Sequence, residues 1–365
     1  MRVVCAMSGG VDSSVAAALM IAEGHDVVGM TMSLYDAPLR SRQSRGGTCC
    51  SPAEIDLAKR VCDSLGIPHY TVDERERFQR AVIDDFAREY AAGRTPNPCA
   101  RCNEHVKFGP LLARAAALGA EVLVTGHYAR IEQGALLRGC DPAKDQSYFL
   151  FAMGRDTLAR VRFPLGGWTK AAVRARAAEL GLANHDAPDS QELCFVAGGD
   201  YAETVRRQLA RLGEDVSRLD PGDIVDEQGT RLGRHGGIHR VTVGQRRGLG
   251  VAGVDPRYVL RVVPEAKQVV IGDRDALQRR ALDVSDYRAL AAPSAAGWRR
   301  VQVQIRHRSP AVPARVRVFG SRARVEFDTP VSGVSPGQAA VVYEGDRVLG
   351  GGWIADAPTE DTSTV

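Results

Sequence analysis

Short apolar runs alternate with helical spacing through the first half of the chain. The runs RVVCAM (residues 2–7), HDVVGMTM (25–32), IPHYTVD (67–73) and EVLVTGHYAR (121–130) predict strands. Between them EIDLAKRVCDSLG (54–66), Phe78 to Ala91 and Phe108 to Leu118 predict helices. This is the habit of a parallel sheet with helices on both faces. Ligands of such sheets bind beyond the carboxyl ends of the strands, where Ser8, Met32 and Gly126 fall.

After a helical stretch from Tyr201 to Leu212 the habit changes. PGDIVDEQGTRLGRHGGIHRVTVGQRRGLG (221–250) has a glycine every few residues and short alternating runs, which suit small antiparallel barrels. Boundaries are expected near residue 200 and, more softly, near 277. The pattern therefore predicts an α/β N-terminal domain with a parallel sheet (1–199), followed by two small, mainly β, barrel-like domains (200–276 and 277–357). The tail, 358–365, reads as disordered.

Farther on, Arg300, Gln302, Gln304, Arg306 and Arg308 share one parity, and Val301, Val303 and Ile305 the other. ARVRVFGSRARVEF (314–327) repeats the alternation as a hairpin around Gly320-Ser321. The net charge is only +4, yet eight Arg and no Asp or Glu lie between Arg299 and Arg324. That is either the footprint of a polyanion or a solvated strand face.

With 365 residues, 44% hydrophobic and 25% charged, the composition is that of a globular protein of two or three domains. The N-terminus enters a strand without a basic leader, and no apolar run approaches a membrane span, so a soluble cytoplasmic protein is expected. Eight cysteines without a secretion signal point to thiol chemistry, metal binding or core filling. Cys5, in the first strand, and Cys62, in an apolar helical stretch, read as core.

Ser8-Gly9-Gly10 follows the first strand, and Asp12-Ser13-Ser14 opens a helix. A glycine-rich strand-to-helix turn exposes backbone N–H groups at a positive helix end, which suits phosphate; a plain tight turn is the alternative. It is not a Walker loop, since no lysine precedes Lys59. SGGVDSS resembles the PP-loop of the ATP pyrophosphatases, the adenine nucleotide alpha hydrolase-like class, which cleave ATP between the α and β phosphates. Asp12 is a candidate for holding Mg²⁺ beside them.

TPNPCARCNEHVKFG (95–109) presents Cys99 and Cys102 on a rigid loop, as half a zinc site, a redox pair or a nucleophilic thiol with a neighbour. Cys194, in DSQELCFVAGGD (189–200), stands alone beside apolar residues. Paired with Cys102 it supplies what sulfur transfer needs: one thiol to carry a persulfide and one to resolve it. The roles of Cys49, Cys50 and Cys140 stay open.

SGGVDSS, TPNP with CN and KFG, TGHYAR, KDQSYFL, DS followed by CF, TVGQRRGLG and SPGQ, in this order, resemble the tRNA-specific 2-thiouridylase family from Val3 to about Ile354. The resemblance implies an ATP-dependent exchange of the 2-oxygen of a tRNA wobble uridine for sulfur. Ala6, Met7, Ser8, Gly9, Gly10, Val11, Asp12 and Ser13, with Met32 and Gly126, would hold ATP. Cys194 would take up persulfide sulfur, and Cys102 would form a transient disulfide with it as sulfur is released. Asn97, Pro98 and Cys99 would frame the target base; His127, Lys144, Asp145, Gln146, Arg306, His307 and Gln338 would touch tRNA. A persulfide carrier or cysteine desulfurase would be the sulfur-donor protein.

Cys99 departs from the family, many members of which have Asp there. A thiol, with an ordinary pKa of about 8.5, serves less readily as acid or base at neutral pH. The proposed chemistry is coherent without the family, because a uridine oxygen leaves only once it is activated. Single-stranded wobble bases can be turned out into a pocket while Arg246, Arg247 and the arginine strands hold phosphates. Three alternatives remain: a PP-loop synthetase for a small molecule, tRNA thiolation through an iron–sulfur cluster on Cys99, Cys102 and Cys194, and a non-catalytic RNA-binding protein.

Overall fold

Five strands, all parallel, form the first sheet of the computed structural model, which describes residues 1–35, 52–187, 193–196, 200–251, 255–291 and 297–356. They are β1 (Arg2–Ala6), β2 (Asp26–Ser33), β3 (His69–Asp73), β4 (Val122–Val124) and β7 (Val161–Arg162), in the order β3-β2-β1-β4-β7. From β1 the chain winds first to β2 and later to β4 on the other side, so the strand order reverses at β1. That reversal opens a crevice at the carboxyl ends of β1 and β4. Among the helices of this part are α1 (Val11–Ala22), α2 (Pro52–Ser64) and α8 (Lys170–Glu179), with the short α7 (Arg155–Leu158) between β4 and β7.

Val3, Val15, Cys62 and Val124 are fully buried and knit sheet and helices together. Cys5 and Cys62 are core, as expected. Burial pushes both thiols up, Cys62 to about 12, which leaves them protonated and inert.

Two sequence expectations change here. EVLVTGHYAR is not one strand: β4 stops at Val124 and the chain leaves this sheet to form a separate antiparallel hairpin of β5 (Ala129–Glu132) and β6 (Ala135–Arg138). The break follows from Gly126, where a Cβ would lie 2.8 Å from the backbone of Asp12 and Ser13, too close for any side chain. TPNPCARCN is loop only as far as Asn97; its cysteines are helical, because α5 (Pro98–Cys102) passes through a π turn at Asn103–Lys107 into α6 (Phe108–Ala117). Pro98 opens it, its fixed φ suited to the first helical position. Upstream, α3 (Arg75–Phe78) likewise runs through a π turn, Gln79–Asp84, into α4 (Asp85–Ala91).

The described residues form two compact units. One comprises Met1–Ile83, Pro98–Asp200 and Asp346–Val348; the other comprises Asp84–Asn97, Tyr201–Gly345 and the chain from Leu349. In the second, α9 (Tyr201–Leu212) packs on α4, and the buried carboxylate of Asp84 accepts from Gln208 and, at 2.8 Å, from Arg211. The strands β8 (Gly222–Val225), β9 (Arg231–His235), β10 (Tyr258–Val263) and β11 (Gln268–Gly272) make a sheet ordered β10-β11-β8-β9. It is mixed rather than purely antiparallel, because β8 and β11 run parallel. TVGQRRGLG forms no strand; the Gln245 side chain ties it into a loop by accepting from Thr242 N–H and donating to Arg247 O.

The last six strands, β12 (Gln278–Ala289), β13 (Arg299–Gln304), β14 (Val312–Phe319), β15 (Arg322–Ser332), β16 (Ala339–Glu344) and β17 (Arg347–Ile354), are ordered β12-β15-β14-β13-β16-β17. A β12–β17 pairing closes them into a barrel. The expected hairpin is β14–β15, with Phe319 opposite Arg322 across Gly320-Ser321. Val301, Val303, Val316, Val325 and Val342 fill the interior with the predicted period of two. Among the described residues no helix is long and apolar enough to cross a membrane.

Candidate functional site

The crevice at the β1–β4 switch is lined by the SGG turn. Met7 still donates to Met30 O at 2.8 Å, and then Gly9 takes a φ of +77°. A Cβ there would also meet Glu54 O at 2.7 Å, so only glycine fits. Gly10 is the N-cap of α1 and, having no side chain, does not cap it. Ser13 and Ser14 instead fold back, their hydroxyls donating to Gly10 O at 2.9 and 3.1 Å. Ser8 N–H donates to Ser13 Oγ at 3.2 Å. The loop is thus stiffened from behind while the end of a twelve-residue helix faces the crevice.

Residues the sequence did not single out complete the turn. Asn184, 2% exposed, donates to Gly9 O at 2.7 Å and to Ser14 Oγ at 2.9 Å, and its own Oδ1 is buried with no partner among the described residues. Lys170 reaches both oxygens of Asp12 at 2.8 Å, and Tyr128 donates its hydroxyl to Asp12 Oδ1 at 2.7 Å. Only the general rule that loops meet at strand ends hinted at these three. The same contacts bear on magnesium, since an ammonium lies across both oxygens of Asp12. For phosphate the residues do fit, as an uncapped helix end, two obligatory glycines and a lysine.

Met32, 6% exposed, lies at the end of β2, and Gly126 presses its backbone on Asp12 and Ser13. The Gly126→Ala variant is therefore expected to push β4 and α1 apart. ATP affinity, measured by calorimetry, falls at least about tenfold, since displacements of an ångström cost orders of magnitude in positioned sites.

The two thiols proposed for sulfur chemistry lie in the same unit as this crevice. Cys102 ends α5, 7% exposed, directly before the π turn; Asn103 donates from there to Phe149 O at 3.1 Å. Cys99 sits at the exposed start of α5. Cys194 is half-buried in a turn closed by Val196 N–H to Leu193 O. Its neighbour Phe195 anchors that turn edge-on against Phe78, ring centroids 5.9 Å apart. Asp189 and Ser190 of the DS motif, like Cys49, Cys50 and the tail, lie outside the described residues.

The RNA candidates divide. His127 sits between Phe108 and Phe163 and shares a 2.7 Å hydrogen bond with Thr125; burial drives its pKa down to about 3, so it is neutral at physiological pH. Asp145 is a structural hub, accepting from Arg138, Gly139 N–H, and the N–H and hydroxyl of Ser147 at 2.9–3.0 Å. Gln146 accepts from Tyr128 N–H at 3.0 Å. Lys144 lies beside them, partly exposed.

In the second unit, Asn97 is buried and His307 exposed. Arg306 donates from one nitrogen to Val243 O and Ser335 Oγ, both at 2.8 Å, joining the TVGQ and SPGQ segments. Gln338 donates to Thr95 O and Pro96 O at 3.1 Å, and Thr95 N–H donates to Pro336 O at 2.8 Å. Gln338 therefore holds the loop carrying Asn97. Its Ala variant is expected to lower kcat for tRNA about tenfold, with a smaller change in tRNA affinity, the signature of lost positioning.

The arginine strands are not the one-sign face that the sequence suggested. Carboxylates arrive from neighbouring strands: Arg299 meets Glu344 at 2.7 Å, Arg315 meets Glu326 at 2.6 Å and Arg324 meets Asp283 at 2.9 Å, with Arg300 at 3.8 Å from Asp328. Cross-strand pairing, invisible to a count along one strand, neutralises much of the expected footprint.

Residues 1–198 match the family model described as the tRNA methyl transferase HUP domain, 212–273 the tRNA methyl transferase PRC-barrel domain, and 279–354 the aminomethyltransferase beta-barrel domain. Over 369 residues, 98% of this chain and 92% of the relative, the sequence is 51% identical to the tRNA-specific 2-thiouridylase MnmA of Rhodospirillum centenum. It is 50% identical to that of Geobacter metallireducens, over 98% of each chain. The similarly named protein of Paracoccus denitrificans is 47% identical over 97% of this chain and 91% of its own length.

Proposed function

We propose that this chain, which belongs to the tRNA-specific 2-thiouridylase family, is a tRNA-uridine 2-sulfurtransferase that uses ATP to thiolate the wobble uridine. The observation that carries the reading is the glycine cradle before α1, at the switch point of the parallel sheet, within a unit that also holds the Cys102 and Cys194 thiols. The matched domain descriptions speak of methyl transfer and the full-length relatives' names of thiolation. The latter suits this chain better, since methyl transfer calls for neither a phosphate loop nor a pair of thiols.

ATP is a substrate here. The uridine C2 oxygen attacks its α-phosphorus, pyrophosphate leaves, and a poor leaving group becomes a good one. The first-turn N–H groups of α1 stabilise the charge on the phosphates. Cys194 carries the incoming sulfur as a persulfide, received from a sulfur-donor protein. Its terminal sulfur attacks C2 and AMP departs. The Cys102 thiolate then attacks Cys194 Sγ, so the S–S bond to the transferred sulfur breaks, 2-thiouridine is released and a Cys102–Cys194 disulfide forms. Two thiols supply the two electrons that reduce the sulfur, and a thiol reductant restores them. Holding the activated carbon beside the persulfide supplies rate, and keeping water away prevents reversion to uridine.

Labelled ATP tests this directly. AMP and pyrophosphate, formed only with tRNA bearing a wobble uridine, are expected. ADP and phosphate as products would contradict the reading.

A further inference from the structure

Cys99 and Cys102 stand three positions apart on α5. Residues so spaced are neighbours on a helix surface, with Cα atoms about 5 Å apart by the rise and radius of a regular helix. That lies inside the span of about 4.4–6.8 Å that a disulfide bridges. The thiols differ in access: Cys99 is exposed, Cys102 buried and Cys194 half-buried. Asn103, itself 4% exposed, donates to Phe149 O and so ties the chain directly after Cys102 to the turn Ser147–Phe149. The sulfur transfer proposed above ends in a disulfide between the two covered thiols, Cys102 and Cys194. Its reduction needs a thiolate to reach one of those sulfurs, so the rate depends on access. A thiol carried on another protein is poorly placed to reach a covered sulfur. One on the same turn of helix needs only rotation about its side-chain bonds.

We infer that Cys99 is the resolving thiol of the reaction, which carries the disulfide from the covered pair to the surface. This rests on the sulfurtransferase reading given above. The Cys99 thiol gives its proton to solvent, and the thiolate attacks Cys102 Sγ. The Cys102–Cys194 bond breaks, its electron pair leaves on Cys194 Sγ, and that sulfur takes up a proton. A Cys99–Cys102 disulfide forms in its place, with no net oxidation in the step. A thiol reductant then supplies two electrons and two protons to the Cys99–Cys102 pair at its exposed sulfur and restores both thiols. Cys194 regains its thiol in the first exchange, ready for the next sulfur.

The test follows the disulfide through one turnover and then many. The iron-free chain is charged by a persulfide donor, separated from the excess, and given Mg-ATP with one equivalent of tRNA bearing a wobble uridine. It is then quenched in acid, alkylated and mapped by peptide mass spectrometry. Cys99–Cys102 is expected as the main disulfide, with Cys194 alkylated, whereas the Cys99→Ser protein should hold Cys102–Cys194. Under multiple turnover, each protein's rate with a dithiol protein as reductant is divided by its own rate with saturating dithiothreitol, which reaches covered sulfur. That ratio should be lower in Cys99→Ser and in Cys99→Ala than in the wild type by about tenfold or more, the loss of an intramolecular exchange. A residue that only framed the target base would lower both rates together and leave the ratio unchanged. That result, or Cys102–Cys194 as the standing disulfide of the wild-type chain, overturns the assignment. If the wild-type chain thiolates no tRNA even once, the functional reading fails and the assignment with it.

Discussion

Cys194→Ser protein forms no 2-thiouridine, with the rate down by about a thousandfold or more, while it still releases AMP from ATP in the presence of tRNA. A hydroxyl cannot carry a persulfide, but nothing in the activation step needs Cys194, and the activated uridine then decays by hydrolysis. The exchange is nearly isosteric at a half-buried turn held by Phe195 on Phe78, so the melting temperature should not move. Cys102→Ser should also stop thiolation under multiple turnover, for a different reason: the persulfide forms, but its inner S–S bond is not cleaved. Mass spectrometry of the intact protein separates the two. Charged by the donor without tRNA, the Cys102→Ser protein carries a persulfide on Cys194; with tRNA and ATP it is trapped as a disulfide between Cys194 and the thiolated base, and the Cys194→Ser protein shows neither.

Asp12→Ala abolishes the earlier step. It leaves Lys170, largely buried, without its carboxylate, and removes the acceptor of the Tyr128 hydroxyl. Both groups then relax, and the phosphates are no longer held in line for attack. AMP formation is expected to fall by about a hundredfold or more. ATP binding should fall far less, because the N–H groups of α1 remain. Parallel loss of ATP affinity and turnover would mean that Asp12 itself holds the nucleotide.

The parallel sheet was legible because its strands are continuous apolar runs separated by helical spacing, and the β14–β15 hairpin because its alternation is strict. The glycine turn was legible because its chemistry is local, with Ser8, Gly9, Gly10 and Asp12 lying within one turn of chain. What lies across the fold was not. Lys170, Tyr128 and Asn184 converge on that turn from more than a hundred residues away, with no spacing rule to link them. The partners of the arginines escaped for a related reason, since Glu326, Glu344 and Asp283 sit on neighbouring strands. The helical start at Pro98 was obscured by Thr95-Pro96-Asn97-Pro98, which reads as loop although its last proline opens a helix.

Cys99 stands on α5 three residues before Cys102, at the exposed end of a helix that places Cys102 on its buried side. Of the two thiols, the buried one is therefore better placed to act away from water.

The central claim is tested most directly by nucleoside mass spectrometry. A tRNA bearing a wobble uridine is incubated with the pure, iron-free chain, Mg-ATP and a persulfide donor, and AMP is counted alongside. The account predicts 2-thiouridine and AMP together, with 2-thiouridine absent from the Cys194→Ser protein. AMP without thiolated base in the wild-type reaction, or thiolation that appears only when iron is restored, would contradict it.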